Sequence, residues 1–133
     1  MDDQPSDRQA IINLTIAYCR IVDRGTFEDL RDLFTPDATA ELSGSGQNGI
    51  DEICDRLATA LAAFVSWQHV VDQHVVTIDG DRAIARCSVR AVHVRSADKM
   101  PREYTVVGTY EDRLVRSADG WRFTHRRLVK LHA

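Results

Sequence analysis

The chain has 133 residues, 44% of them hydrophobic and 28% charged, with a formal net charge of −3, which suits one domain (1–133) with a core of its own. Acids and bases are interspersed, so no basic stripe for nucleic acid exists, and no apolar run approaches the ~18 residues of a membrane span. Cys19, Cys54 and Cys87 are odd in number and far apart, and the acidic opening Met1-Asp2-Asp3-Gln4-Pro5 lacks the apolar core of a signal peptide; both point to a reducing, cytoplasmic setting.

Ser6 followed by Gln9 forms a capping box, and the spacing predicts a helix from about Asp7. Apolar residues recur at Ile12, Ile16 and Cys19 and at Ile11, Tyr18 and Val22, and Gly25 is a natural stop. Thr26 can cap a short second helix through Phe27, Leu30, Leu33 and Phe34, which Thr35-Pro36 closes. Thr39 to Leu42 reads as a short strand and Ser43 to Gly49 as a glycine-rich loop. A third helix is expected from about Asp51 to Phe64, with Ile53, Cys54, Leu57, Ala58, Leu61 and Phe64 inward. After Trp67 the period becomes that of strands. His69–Ile78 and Ala83–Arg95 flank the turn Asp79-Gly80-Asp81, and Glu103–Arg116 and Trp121–Leu131 flank Ser117–Gly120. Helices followed by hairpin-linked strands define an α+β domain with a mostly antiparallel sheet.

Gly44-Ser45-Gly46-Gln47-Asn48-Gly49 matches G-x-G-x-x-G, but a dinucleotide site needs a parallel βαβ unit, and the remaining strands follow hairpin turns. Asp23 continues the row Ile12, Ile16, Cys19, where apolar side chains are expected; a carboxylate there needs a partner, unless the helix frays and solvent meets it. His69 opens the first long strand. His93 sits in the row Ala85, Cys87, Val89, Ala91, whose small side chains suit a pocket wall. A lone histidine on such a face is ordinarily a core residue, and His74, His125 and His132 are taken as surface or structural. Two histidines and a carboxylate could also hold iron, but no pair has short ligand spacing. No nucleophile elbow surrounds a serine or cysteine.

Tyr18-x-x-x-x-Asp23, Leu33-Phe34-Thr35-Pro36-Asp37-Ala38, Gly49-Ile50, Gln68-His69-Val70-Val71, Asp79-Gly80-Asp81-Arg82-Ala83 and Gly120-Trp121-Arg122-Phe123-x-His125-Arg126 together resemble the SnoaL-like members of the NTF2-like superfamily over nearly the whole chain. The resemblance implies a cone-shaped fold of three N-terminal helices on a curved sheet enclosing a pocket. Asp23, His69 and His93 resemble the acid and two histidines of scytalone dehydratase. Tyr18, Asp23 and His69 are similar to the set in bile-acid 7α-dehydratase, and Asp23, His69 and Arg126 to that of lindane dehydrochlorinase. Leu42 and Val22 stand where scytalone dehydratase has tyrosines. What the resemblance implies is a cofactor-free lyase acting on a small, largely apolar, alicyclic, steroid-like or polyketide-like molecule, in a homo-oligomer, trimer ahead of dimer.

On this reading Asp23 orients His69, whose free nitrogen removes a proton from carbon. Tyr18, about 140° from Asp23 around the helix, reaches the pocket from another side as a donor, and His93 supplies a second hydrogen bond or assists the leaving group. Leu42, Leu61, Phe64, Val89 and Ala91 exclude water, and Arg126 or Arg127 meets substrate, depending on a bulge. A double-bond isomerase or cyclase with the same dyad, or a non-catalytic binding domain, would suit the same residues.

Overall fold

The Ser6 hydroxyl accepts a hydrogen bond from the Gln9 main-chain N–H at 3.1 Å, and α1 runs over Asp7–Arg24. The reciprocal half of the capping box is not made, because the Gln9 amide donates to Asn13 at 2.9 Å instead. Gly25 ends the helix at φ 76°, its N–H returning to the Ile21 and Val22 carbonyls. The computed structural model describes residues 5–42 and 44–132, the last by its backbone alone. The acidic opening Met1–Gln4, Ser43 of the glycine-rich loop and the His132 side chain fall outside what is described. The buried side of α1 comprises Ile11, Thr15, Tyr18 and Val22, while Ile16 is 38% exposed. The row Ile12–Ile16–Cys19–Asp23 therefore lies on the flank of the helix, not at its centre.

The second helix is a 3-10 segment, Phe27–Asp32, and Thr26 makes no side-chain cap to it. Phe34 does not close that helix; it opens β1 (Phe34–Leu42), which pairs in parallel with the last strand, Phe34 opposite Phe123 with ring centroids 5.0 Å apart. Pro36 is accommodated because the pairing is interrupted between Phe34 and Thr39. The glycine-rich stretch contains β2 (Ser45–Asn48), folded back antiparallel on β1, and Gly49 at φ 89° leads into α2 (Ile50–Leu61). A G-x-G-x-x-G cradle at the end of a parallel strand is thereby replaced by a hairpin. Helix α2 stops before Phe64, and Ala58 faces solvent instead of the core.

The long strands are β3 (Ser66–Asp79), β4 (Arg82–Val94), β5 (Glu103–Ser117) and β6 (Gly120–His132), in the sheet order β2-β1-β6-β5-β4-β3. Among the described residues only the β1–β6 pairing is parallel. The architecture is α+β, an open curved sheet carrying two α-helices and the 3-10 segment. Two bulges decide which side chains face inward. In β3 an extra residue near Gln73 (φ 55°) shifts the half-buried row from Trp67, His69 and Val71 to His74 and Val76. In β6 the register slips between Phe123 and His125, so the inward row passes from Trp121 and Phe123 to Arg126 and Leu128. Arg126 is accordingly buried and Arg127 exposed. No helix among the described residues is long and apolar enough to cross a membrane.

Candidate active site

The C-terminal end of α1 is fixed on β3 by Trp67, whose indole N–H donates to the Val22 carbonyl at 2.8 Å. Two residues further along, the main-chain N–H of His69 donates to both carboxylate oxygens of Asp23, at 3.0 Å each. The His69 Nδ1 lies 2.9 Å from Asp23 Oδ1. A carboxylate only accepts, so Nδ1 carries a hydrogen and the neutral ring keeps its lone pair on Nε2. The two side chains are 9% (His69) and 24% (Asp23) exposed. Asp23 thus sits at the edge of solvent and is less buried than the sequence suggested, because its row lies on the flank of α1.

His69 lines a cavity of about 120 Å³ together with Tyr18, His93, Leu42, Leu61, Phe64, Val89 and Ala91. Asp23 and Arg126 do not line it. Sequence reasoning missed Tyr104, Val106 and Tyr110 from β5, Leu128 and Lys130 from β6, and Leu57 and Ala60 from α2. The signal for the β5 set was simple alternation, Tyr104, Val106, Tyr110. The β6 pair lay behind a bulge that alternation alone does not locate.

His93 is 8% exposed and packs with its ring centroid 4.8 Å from that of Phe64, 5.7 Å from Tyr104 and 5.9 Å from His69. Its Nδ1 is 3.1 Å from the Tyr104 carbonyl oxygen, which can only accept, so Nδ1 is again the protonated nitrogen. Burial pushes the imidazole below its ordinary pKa, the Tyr104 bond opposes this, and the nearby His69 and Lys130 reinforce it. His93 is therefore neutral at pH 7 and offers the cavity an acceptor, not the acid that leaving-group assistance requires.

Donors come instead from the floor. The Tyr18 and Tyr110 rings meet edge to face with centroids 5.7 Å apart, and burial pushes the Tyr18 phenol up to about 12 against the downward pull of Arg126 and holds that of Tyr110 well above its ordinary value. Both stay protonated. Beneath them Arg126, expected to touch substrate, is fully buried and turned away into a bidentate pair with Asp112 at 2.8 and 3.2 Å. Its guanidinium carbon lies 3.7 Å from the Tyr110 ring centroid, 4.2 Å from that of Tyr18 and 4.7 Å from that of Phe123. Its Nη1 has no hydrogen-bond partner among the described residues. His74 is held by Thr15 at 2.7 Å, and His125 by Thr39 at 2.7 Å and Glu41 at 3.3 Å; both belong to the framework. Among the described residues no three His, Cys, Asp or Glu side chains group as a metal would require.

Residues 3–127 match the SnoaL-like domain, and the chain belongs to that family; its fold is that of the NTF2-like superfamily. An uncharacterised protein of Mycobacterium tuberculosis, Rv2910c, is 33% identical over 125 residues, 91% of this chain and 83% of that protein. Among solved structures, the Kfla4162 protein from Kribbella flavida is 33% identical with a TM-score of 0.88, covering 95% of this chain and 91% of that one. A Novosphingobium aromaticivorans protein provisionally named an aromatic ring hydroxylase is 30% identical, TM-score 0.86, covering 98% and 94%. Another from that organism, provisionally named a scytalone dehydratase, shares the fold at 22% identity, TM-score 0.83, covering 93% and 83%.

Proposed function

We propose that the protein is a cofactor-independent lyase of the dehydratase type, with the Asp23–His69 pair as its general base. Proteins of this fold carry unlike names, a ring hydroxylase and a scytalone dehydratase among them, so the choice rests on the site. The carrying observation is the 2.9 Å contact between Asp23 Oδ1 and His69 Nδ1 at the wall of a largely apolar cavity. It leaves one basic nitrogen available to the cavity and places a carboxylate where it stabilises the imidazolium that forms.

In the proposed reaction His69 Nε2 removes a proton from the carbon α to a substrate carbonyl, and the Tyr18–Tyr110 hydroxyls donate to the developing enolate oxygen. The electron pair then forms the new double bond as the β C–O bond breaks. The imidazolium returns its proton to the departing hydroxide, and water leaves. His93, an acceptor, holds a substrate hydroxyl. A cytoplasmic homo-oligomer, trimer ahead of dimer, is part of the same proposal. The double-bond isomerase alternative would use the same base and donors but return the proton to carbon.

The test is product analysis in deuterated water with cyclic β-hydroxy ketones and esters. Release of water, abolished in His69→Ala, supports the lyase. With a β,γ-unsaturated cyclic ketone as a parallel probe, movement of its double bond into conjugation with deuterium incorporated, every heavy atom retained and no water released from the β-hydroxy ketones would transfer the assignment to an isomerase. Turnover unchanged in both Asp23→Asn and His69→Ala would remove the dyad from the mechanism.

A further inference from the structure

Beyond its bulge, β6 sends Arg126 beneath the floor of the cavity, Leu128 into its wall and Lys130 to its solvent-exposed mouth. The Lys130 ammonium makes no ion pair or hydrogen bond among the described residues. A second cation, Arg95, does not line the cavity but lies against one of its wall residues. The Arg95 guanidinium carbon lies 5.5 Å from the ring centroid of Tyr104, a wall residue, and its hydrogen bond goes to the Pro101 carbonyl at 3.2 Å, not to an acid. Lys130 thus lines a cavity whose other lining side chains are neutral, and Arg95 lies behind one of them, neither with an acidic partner among the described residues, on a chain whose formal charge is −3. Surface lysines ordinarily find water or a nearby carboxylate; Lys130 has no carboxylate partner among the described residues and lines the cavity. The cavity's volume of about 120 Å³ is close to the ~150 Å³ of an engineered cavity that takes up benzene, the room that one six-membered ring needs.

We infer that the cavity takes a single-ring compound with an anionic substituent, a carboxylate or a phosphate, that remains at the mouth against Lys130, with Arg95 behind Tyr104. The ring then lies between His69 and His93 on one side and the Tyr18–Tyr110 floor on another, held in orientation by its charged end. Calling this compound the substrate rests on the lyase reading; its recognition does not. The inference also narrows the largely apolar, steroid-like class that the family resemblance implies.

Calorimetric titration of the full chain with benzoate, phenyl phosphate and the neutral isostere benzamide tests it. At low salt the better anion is expected to bind about tenfold more tightly than benzamide, with the advantage shrinking as sodium chloride is added. Comparison of benzoate with phenyl phosphate identifies the head group. Lys130→Met is expected to bring the anions to within about twofold of benzamide while leaving benzamide affinity unchanged, and Arg95→Met to weaken the preference in part. Lys130 is exposed, so the variant folds, which thermal unfolding verifies. Equal binding of anion and benzamide by the native chain overturns the inference, as does an anion preference that survives Lys130→Met, or no binding of any of the three. The preference persists in His69→Ala, so loss of the lyase reading and loss of this one are separable.

Discussion

Asp23 grips His69 twice, accepting both its main-chain N–H and its ring Nδ1–H, so one carboxylate fixes the start of β3 and the tautomer of the base together. Asp23→Asn keeps the volume but removes the negative charge, and with its oxygen on Nδ1 it sets an N–H₂ against the His69 main-chain N–H in place of Oδ2. The ring then loses the partner that favours its imidazolium. Turnover of a substrate identified by product analysis is expected to fall about 10²–10⁴-fold. Stability is expected to fall by about 1–3 kcal/mol as well, because a main-chain N–H loses part of its pairing. Steady-state kinetics and urea unfolding of the same variant read the two effects separately.

His93 makes the fold sensitive to mild acid. Burial holds its pKa below the ordinary 6.5, and His74, lowered by its own burial and by Arg126 and Arg8, behaves alike. Below about pH 6.5 the unfolded chain binds protons at these positions that the folded chain refuses, so stability falls as pH drops; above that value these groups contribute no slope. The urea midpoint is expected to be flat from pH 8 to 7 and to decline toward pH 5. His93→Gln and His74→Gln should each reduce that decline, and a decline of unchanged steepness in both would place its origin elsewhere.

The fold and the outline of the site were legible in the sequence wherever local chemistry acted alone. Ser6 and Gly25 bound α1 because capping and left-handed geometry are local properties. Alternation along β4 identified Val89, Ala91 and His93 as wall residues. The family resemblance supplied the pairing of Asp23 with His69, which periodicity alone left divided between partner and solvent. Illegible were the features set by pairing between distant strands. Phe34 follows a helical pattern but joins β1 because Phe123 awaits it across the sheet. Arg126 was expected to meet substrate and is buried beneath the tyrosines, because Asp112 from β5 satisfies its charge there. Lys130 reached the cavity only through the β6 bulge.

The Arg126–Asp112 pair predicts an asymmetric mutational response. Both side chains are 0% exposed, and burial raises the Asp112 carboxyl pKa against the pull of Arg126. Removing either partner leaves the other charge without compensation in the core. Arg126→Met or Asp112→Leu alone is expected to cost about 3–5 kcal/mol, and the double substitution distinctly less than the sum. Guanidinium unfolding of the four chains gives the coupling. If the two single costs simply add, the pair is not acting as a unit.

Gly108 is the position where a single methyl group tests the geometry of the cavity wall. It lies between Val106 and Tyr110 on β5, where β6 slips by one residue between His132 and Lys130. That slip carries the Val129 carbonyl onto Gly108, so a Cβ would run into backbone, with the Lys130 Cα also within 3.1 Å. Backbone cannot rotate aside as a side-chain tip would, so the strands must separate. Gly108→Ala is expected to destabilise the fold by about 1–3 kcal/mol. Because Leu128 and Lys130 flank the displaced carbonyl, binding of ring compounds should weaken with it. Gly46→Ala is the control: its Cβ would make only an ordinary 3.9 Å contact with the Ala40 carbonyl. That change is expected to be neutral or to stabilise by about 0.4–1 kcal/mol through the unfolded chain. Thermal unfolding of both variants checks the pair; equal tolerance of alanine at the two positions would show that β6 does not approach β5 this closely.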